Sequence, residues 1–187
     1  MIVEKRKCIF IHIPKTGGTS IEYFFKKKGG QRKHALPRKI KKEFPSKWEN
    51  YYKFAFVRNP WDKMVSQYFY NHRKYFPKGI SFEKYIDRWG NGKNVSVWPL
   101  SYEEWLDPDI DFIGRFENFQ DDFNLVCDAI GIPARKVPHR RPRGNKWDKF
   151  AMRRPKKHYS EHYSEESMNI VGTRFKDFIK KFNYKFK

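Results

Sequence analysis

The stretch that determines the fold is KCIFIHIPKTGGTS, residues 7–20. Its first seven residues form a short β-branched and aromatic run that ends at Pro14, which predicts a buried β-strand. A Gly-Gly turn follows. After the turn, three apolar residues lie on one face of a predicted helix: Ile21, Phe24 and Phe25. The stretch therefore predicts a strand, a glycine-rich loop and a helix in succession.

Strands and helices continue to alternate along the rest of the chain. KFAFV at 53–57 predicts a second buried strand, and DFIGRFE at 111–117 predicts a third. Asn59 and Pro60 are typical of an N-cap and a first helical position, and the helix they begin should run to about Tyr75. This order predicts an α/β fold with a central, mainly parallel sheet flanked by helices.

Two further helices carry apolar stripes typical of core packing. Asn118 is predicted to cap the first of them, whose core-facing residues are Phe119, Phe123, Val126, Cys127 and Ile130. The second is predicted as one continuous helix from about Ser164, with the stripe Met168, Val171, Phe175, Phe178 and Phe182. Both stripes favour a structural role over cofactor binding.

Length and composition indicate one folded domain spanning residues 1–187. The chain is 39% hydrophobic and 19% aromatic, which excludes a mainly disordered protein. No apolar run approaches the ~20 residues of a membrane helix, and no signal peptide is recognisable, so we expect a cytoplasmic protein. Cys8 and Cys127 lack C-x-x-C spacing and are expected to be core thiols.

The net charge of +20 is concentrated in two basic blocks. Residues 1–75 hold 19 basic and 5 acidic side chains, and residues 132–158 hold 11 and 1, whereas the intervening 76–131 hold 5 and 11. A basic surface attracts polyanions such as nucleic acid, nucleotides or acidic polysaccharides. Charge alone does not choose among them, and a surface that merely aids solubility is the alternative.

The segment PKTGGTS has the placement of a phosphate-binding loop, because a glycine-rich turn between strand and helix presents backbone N–H groups and a helix dipole to an anion. Gly17 and Gly18 allow close approach of the backbone. Thr19 and Ser20 add hydroxyl donors, and Lys15 can stabilise charge on a bridging oxygen. A plain tight turn with a solvent-facing lysine is the alternative interpretation.

A second constellation is FAFVRNPWDKMVSQY, residues 54–68. Arg58 ends the second strand, and Ser66 lies about two turns into the following helix. Because ligands of parallel sheets bind at the carboxyl ends of the strands, Lys15 and Arg58 should face one crevice. A guanidinium beside a hydroxyl suits a second phosphate, although Arg58 could instead pair with Asp62.

These motifs resemble the sulfotransferases that use 3′-phosphoadenosine 5′-phosphosulfate (PAPS), particularly the compact glycan-type group. HIPKTGGTS is similar to their 5′-phosphosulfate loop and FVRNPWDKMVSQY to their 3′-phosphate motif. DFIGRFENFQDDFNLVCDAIGIP and HYSEHYSEESMNIVGTRFKDFIKKFNYKF continue the resemblance over nearly the whole chain. It implies a P-loop-like three-layer fold and transfer of a sulfuryl group from PAPS to an acceptor hydroxyl, most often on a carbohydrate, with PAP as product.

The resemblance also implies residue roles. The 5′-phosphosulfate would be held by Lys15, Thr16, Gly17, Gly18, Thr19 and Ser20. Arg58 and Ser66 would hold the 3′-phosphate. His34, in KHALP, matches the histidine that deprotonates the acceptor, and an imidazole pKa near ~6.5 suits that task. Glu22 is the second candidate base, and a solvated histidine is the alternative for His34.

Other features complete the prediction. His12 alternates with apolar neighbours and is expected to be structural. No carboxylate is placed to hold Mg²⁺, so we expect the donor to bind without metal. Loops 26–47 and 135–157 carry a surplus of positive charge, which favours an anionic acceptor. In the second loop, Arg140, Arg141, Arg143 and Lys146 are expected to lie near the donor crevice.

Two other classes of protein share some of these features. A nucleotide kinase or NTPase needs G-x-x-x-x-G-K-[ST] and a carboxylate at a strand end. Here Lys15 precedes the glycines, and no apolar strand ends in an acid. A basic nucleic-acid-binding module would account for the charge but not for the two phosphate motifs, so nucleic acid is an unlikely partner.

Overall fold

The structure, a computed structural model, describes residues 1–25, 34–76, 79–96, 99–138 and 156–187. The chain divides into two compact units. The first comprises Met1–Arg58 and Tyr102–Arg141, and the second comprises Asn59–Ser101 and Pro142–Lys187. All strands in the described residues belong to the first unit.

A four-stranded sheet forms the centre of the first unit. Its strands, in spatial order, are β1 Ile2–Val3, β2 Cys8–Ile11, β3 Tyr52–Val57 and β4 Phe112–Arg115. β2, β3 and β4 run parallel, with Phe10 opposite Phe54 and Phe54 opposite Phe112, and β1 is antiparallel to β2. The predicted α/β fold with a mainly parallel sheet is confirmed.

Helices alternate with these strands along the chain. The described α-helices are α1 Gly18–Phe24, α2 Pro37–Glu43, α3 Pro45–Asn50, α4 Pro60–Tyr75, α5 Phe82–Gly90, α6 Phe119–Ala129, α7 Glu165–Arg174 and α8 Lys176–Phe182. α1, α2, α3 and α6 belong to the first unit, and the other four belong to the second.

The core of the first unit lies between one face of the sheet and helices α1 and α6. Phe10 and Phe54 stack with ring centroids 5.1 Å apart, and Phe123 of α6 packs against Phe56. The residues that alternate with these are also fully buried: Ile9, Ile11, Ala55 and Val57. Burial of both faces is typical of central parallel strands and explains why β2 and β3 are continuous apolar runs.

Helix α4 begins as its sequence predicts. The Asn59 Oδ1 atom accepts hydrogen bonds from the N–H groups of Trp61 at 3.0 Å and Asp62 at 3.3 Å. Pro60 occupies the first helical position, where its missing N–H is not needed. The helix extends to Tyr75, which confirms both predicted ends.

The prediction of one continuous C-terminal helix is wrong at Phe175. This residue has φ −110° and ψ 18°, so α7 ends before it and α8 begins after it. Hydrogen bonds span the break, from Phe175 N–H to Val171 O and from Ile179 N–H to Phe175 O. The helix therefore bends, and Phe175 turns inward to stack on Trp89 with ring centroids 5.4 Å apart.

The side chain of Asn118 does not cap α6, contrary to prediction. Its Nδ2 atom donates to Asp122 Oδ1 at 2.7 Å, and the other Asp122 oxygen accepts from the Arg115 N–H. A cap would use the Oδ1 atom of Asn118 as an acceptor, but the bond from Nδ2 orients the amide group toward Asp122.

The two cysteines are buried, as predicted. Burial raises the pKa of the Cys8 thiol to about 12 and also raises that of Cys127. Both thiols are therefore protonated near neutral pH and act as small apolar core residues.

Candidate active site

The loop between β2 and α1 reverses the chain with two left-handed residues. Lys15 has φ 69° and Gly17 has φ 85°. For a lysine this conformation stores strain of order 1–3 kcal/mol, which is typical of functional loops. Inside the loop, Thr16 Oγ1 donates to Ile13 O, and the Ser20 N–H donates to Gly17 O, both at 2.9 Å. The Thr16 hydroxyl therefore stabilises the turn from within.

Packing requires both glycines of the loop. A Cβ atom on Gly17 would lie 2.7 Å from the ring of Phe119, and one on Gly18 would lie 2.2 Å from the ring of His12. Real Cβ atoms do not approach neighbours so closely. The loop backbone therefore follows a path that leaves no room for side chains, as the predicted close approach to an anion also demands.

Arg58 at the end of β3 contacts this loop directly. Its Nη1 atom donates to the main-chain oxygen of Lys15 at 3.0 Å, and its guanidinium lies 4.1 Å from the ring centroid of Phe116. The side chain is 7% exposed. The structure thus brings together Lys15 and Arg58, the charged residues that follow two neighbouring parallel strands.

Tyr102 fixes the backbone of Arg58, a role that the sequence did not suggest. Its hydroxyl accepts from the Arg58 N–H at 3.1 Å and donates to the Arg58 carbonyl oxygen at 2.8 Å. The tyrosine side chain is almost fully buried. No sequence pattern around 101–106 marked it, because the contact joins residues 44 positions apart.

A cluster of His12, Glu22 and His34 adjoins the loop. His12 and Glu22 are each 3% exposed, with His12 Nδ1 2.7 Å from Glu22 Oε1. His34 Nδ1 donates to the main-chain oxygen of His12 at 2.9 Å, and the two rings are 4.2 Å apart. From the sequence, His12 was expected to be structural, and Glu22 and His34 were separate candidates for the base. A buried histidine at a strand end, followed by a glutamate on the next helix, was the available signal.

The remaining predicted residues have different surroundings. Thr19 is half-buried in the first turn of α1, and Ser66 is half-buried in the second turn of α4, in the second unit. The predicted basic residues of the later loop lie outside the described residues: Arg140, Arg141, Arg143 and Lys146. Residues 26–33 of the earlier basic loop also lie outside them.

Part of the basic charge on α2 is paired with acidic residues of the same unit. Lys41 Nζ lies 2.9 Å from both Asp107 and Asp109, and Arg38 lies 3.5 Å from Glu104. These carboxylates raise the pKa of Lys41, and Trp48 together with Lys41 lowers that of Asp109. The positive charge that α2 offers to a ligand is therefore smaller than its sequence suggests.

Metal-binding clusters and membrane-spanning helices are two further features that bear on function. Within the described ranges, no group of three or more His, Cys, Asp or Glu side chains is arranged to hold a metal ion. None of the helices in the described part of the chain has the length and apolar character needed to cross a bilayer.

Comparison with known proteins adds to this geometry. A model described as "Sulfotransferase family" matches residues 1–185. An archaeal protein from Archaeoglobus fulgidus, carrying the name "Uncharacterized protein", is 33% identical over 46% of this chain and 72% of its own length. No solved structure matches.

Proposed function

This chain belongs to the sulfotransferase family, and from that premise we propose that it transfers a sulfuryl group from PAPS to a hydroxyl of a carbohydrate. Family membership supports sulfuryl transfer from a sulfonucleotide donor to an acceptor. PAPS as the donor and a carbohydrate as the acceptor are the further steps of the proposal.

The contact between Arg58 and Lys15 is the observation that carries the proposal. It joins the ends of β2 and β3 at the loop that resembles a 5′-phosphosulfate site. Two cationic residues in contact and a loop without side-chain bulk suit a ligand with several phosphate oxygens. A guanidinium directs donors along more than one edge, so it can bond a carbonyl oxygen and a phosphate together.

The loop residues have separate roles in this proposal. Gly17 and Gly18 let the donor's 5′-phosphosulfate approach the backbone, and Lys15 stabilises the charge that develops on the bridging oxygen as the S–O bond breaks. Thr16, Thr19 and Ser20 complete the loop. Arg58 is assigned to the 3′-phosphate, and Ser66 remains a candidate from the sequence motif for the same group.

His34 is the proposed base, in preference to Glu22. The Glu22 carboxylate is buried against His12, whereas His34 is half-buried. In the reaction, the acceptor hydroxyl gives its proton to His34 while its oxygen forms a bond to sulfur. The bond from sulfur to the phosphate oxygen breaks, and PAP leaves with that electron pair. No metal ion takes part in this scheme.

An anionic carbohydrate is the proposed acceptor. His34 lies three residues before α2, whose Arg38, Lys39 and Lys42 are exposed, although Arg38 lies near Glu104 and Lys39 near Glu43. The sequence adds a second basic block at 132–158, with 11 basic and 1 acidic side chains. These cations exceed what a phosphosulfate needs, and they would attract carboxylate or sulfate groups on a sugar chain.

Radiolabelled PAPS incubated with two pools of acceptors tests this function. One pool contains neutral oligosaccharides and the other contains acidic chondroitin and heparan chains. Labelled sulfate should enter the acidic pool, and Lys15→Ala should abolish the incorporation. Lys180→Ala, which removes an exposed lysine of α8, is the matched control. No transfer to either pool by a protein that binds PAP would contradict a carbohydrate acceptor.

A further inference from the structure

His12 directly follows β2, and its neighbours hold its ring in place. Phe10 stacks on the ring with centroids 5.3 Å apart. On the loop side, a Cβ atom on Gly18 would lie 2.2 Å from His12 Nε2. The imidazole therefore fills the space between the sheet and the phosphate loop, and it cannot shift without moving one of them.

Glu22 fixes the rotation of the His12 ring. The Glu22 carboxylate accepts from His12 Nδ1 at 2.7 Å, and both side chains are 4% exposed. An ionised carboxylate that is buried away from water costs several kcal/mol unless it is paired. Separation of Glu22 from His12 is therefore strongly unfavourable. The carboxylate accepts a hydrogen from the ring, which places that hydrogen on Nδ1 of His12.

His34 is held by His12 through two contacts. Its Nδ1 atom lies 2.9 Å from the main-chain oxygen of His12, and the two rings meet at 4.2 Å with an interplanar angle of 53°. A carbonyl oxygen can only accept, so the hydrogen is on Nδ1 of His34. In the neutral ring Nε2 then carries the lone pair, which is the tautomer that a general base acting through Nε2 requires.

We propose that His12, held by Glu22, is a positioning residue for sulfuryl transfer: its ring keeps His34 in the orientation in which Nδ1 donates to the His12 main-chain oxygen and Nε2 accepts the acceptor's proton. This inference rests on the proposed function, in which His34 is the base. His12 itself neither gains nor loses a proton in the step. Glu22 acts on His34 only through the ring that it holds.

Measurements of turnover and of donor affinity distinguish a role of His12 in positioning His34 from a role in supporting the Gly17-Gly18 loop alone. In His12→Asn the amide nitrogen can still donate to Glu22, but the ring that contacts His34 is gone. We expect kcat with labelled PAPS and the acidic chains to fall about 10- to 100-fold, the scale of a displaced catalytic group. The Kd for PAP, measured by calorimetry, should weaken far less than kcat falls. His158→Asn, at an exposed histidine of the second unit, should change neither value.

A double-mutant cycle identifies the residue through which His12 acts. In a His34→Ala background, His12→Asn should cause no further loss of turnover, because nothing remains to be positioned. An equal loss in both backgrounds would overturn the proposal. So would a PAP Kd that weakens as much as kcat falls, since His12 would then serve the loop alone.

The tautomer of His34 gives a readout that does not need turnover. Nitrogen NMR of the PAP-bound wild type should show His34 protonated on Nδ1, with the signal assigned through His34→Ala. In His12→Asn the same ring should exchange between tautomers. A wild-type His34 protonated on Nε2, or an unchanged tautomer in His12→Asn, would overturn the proposal. Failure of the wild type to bind PAP would instead contradict the proposed function.

Discussion

The guanidinium of Arg58 donates a hydrogen bond of 3.0 Å to the main-chain oxygen of Lys15, which ties the end of β3 to the loop after β2. Lys15 has a left-handed backbone, φ 69°, that a lysine adopts only at a cost. The bond from Arg58 helps to hold this conformation. In the proposed function, donor binding and the position of Lys15 therefore depend on the same arginine.

Substitution of Arg58 should affect both binding and turnover. Arg58→Ala should weaken PAP binding by about 2–3 kcal/mol, the value of a lost charged hydrogen bond, and should also lower kcat because Lys15 loses its anchor. Calorimetry and steady-state kinetics measure the two effects. Arg88→Ala, at an exposed arginine of α5, is the matched control and should leave both unchanged. An Arg58→Ala protein with wild-type PAP affinity would refute the assignment of Arg58.

Unlike Arg58→Ala, Lys15→Ala should affect mainly turnover and leave PAP binding largely intact. The charge near Lys15 grows as the S–O bond breaks, so its loss should lower kcat far more than the affinity for PAP. Single-turnover measurements with labelled donor check this. An unchanged kcat would show that Lys15 is not the group that stabilises the leaving oxygen.

Gly17→Ala should damage the donor site, and Gly131→Ala separates backbone strain from steric clash. Both glycines have positive φ, 85° and 64°, but only the Cβ of Gly17 would collide, with the ring of Phe119. Gly131→Ala should cost about 1–2 kcal/mol of stability and leave PAP binding intact. Gly17→Ala should cost more and weaken PAP binding. Equal effects of the two substitutions on PAP binding would show that the close packing at Gly17 is unimportant.

A buried lysine predicts how stability changes with pH. Lys63 of α4 is fully buried, its Nζ donates to the Leu100 carbonyl, and burial lowers its pKa to about 7 from an ordinary 10.5. Between about pH 7 and 10.5 the unfolded chain holds a proton on this lysine that the folded chain lacks. The contribution of Lys63 to the free energy of unfolding therefore rises with pH through that window.

Urea denaturation of the wild type and Lys63→Met at pH 7 and pH 9.5 measures this contribution. The free energy of unfolding of the wild type, minus that of the variant, should increase between the two values. Lys180→Met, at an exposed lysine of α8, should show no such increase. A difference that stays constant for Lys63→Met would mean that its pKa is not lowered in the folded protein.

Salt dependence tests the anionic acceptor. If several screened contacts hold an acidic chain, the KM for the acceptor should rise steeply between low and physiological ionic strength, while donor affinity changes less. Arg38→Ala on α2 should reduce the salt dependence without affecting PAP binding. Efficient sulfation of a neutral oligosaccharide, with no salt dependence, would leave the basic segments without a role in the reaction.

Local sequence patterns predicted those strands and helix ends that are determined by their own residues. The apolar runs of β2 and β3 are buried on both faces, and Asn59-Pro60 begins α4 as its residue types require. Predictions failed where a contact with another side chain determines how a helix begins or ends. The C-terminal helix bends at Phe175, whose ring stacks on Trp89, and the Asn118 side chain bonds to Asp122 instead of capping α6.

The candidate site was predicted in part for the same reason. The positions of Lys15 and Arg58 at the ends of neighbouring parallel strands follow from the fold, so their proximity could be expected. The left-handed backbone of Lys15 could not, because lysine is not among the residue types that favour it, which are glycine, asparagine and aspartate. The contact of Tyr102 with Arg58 and the pairing of His12 with Glu22 also depend on tertiary packing.

Calorimetric titration with PAP and with ATP·Mg²⁺ tests the central claim, that the loop and Arg58 hold a sulfonucleotide. We predict that PAP binds with one site per chain in the presence of EDTA, and that Arg58→Ala weakens this binding. ATP·Mg²⁺ should give little or no heat. Binding of ATP·Mg²⁺ without binding of PAP, or PAP binding that EDTA abolishes and Mg²⁺ restores, would contradict the account.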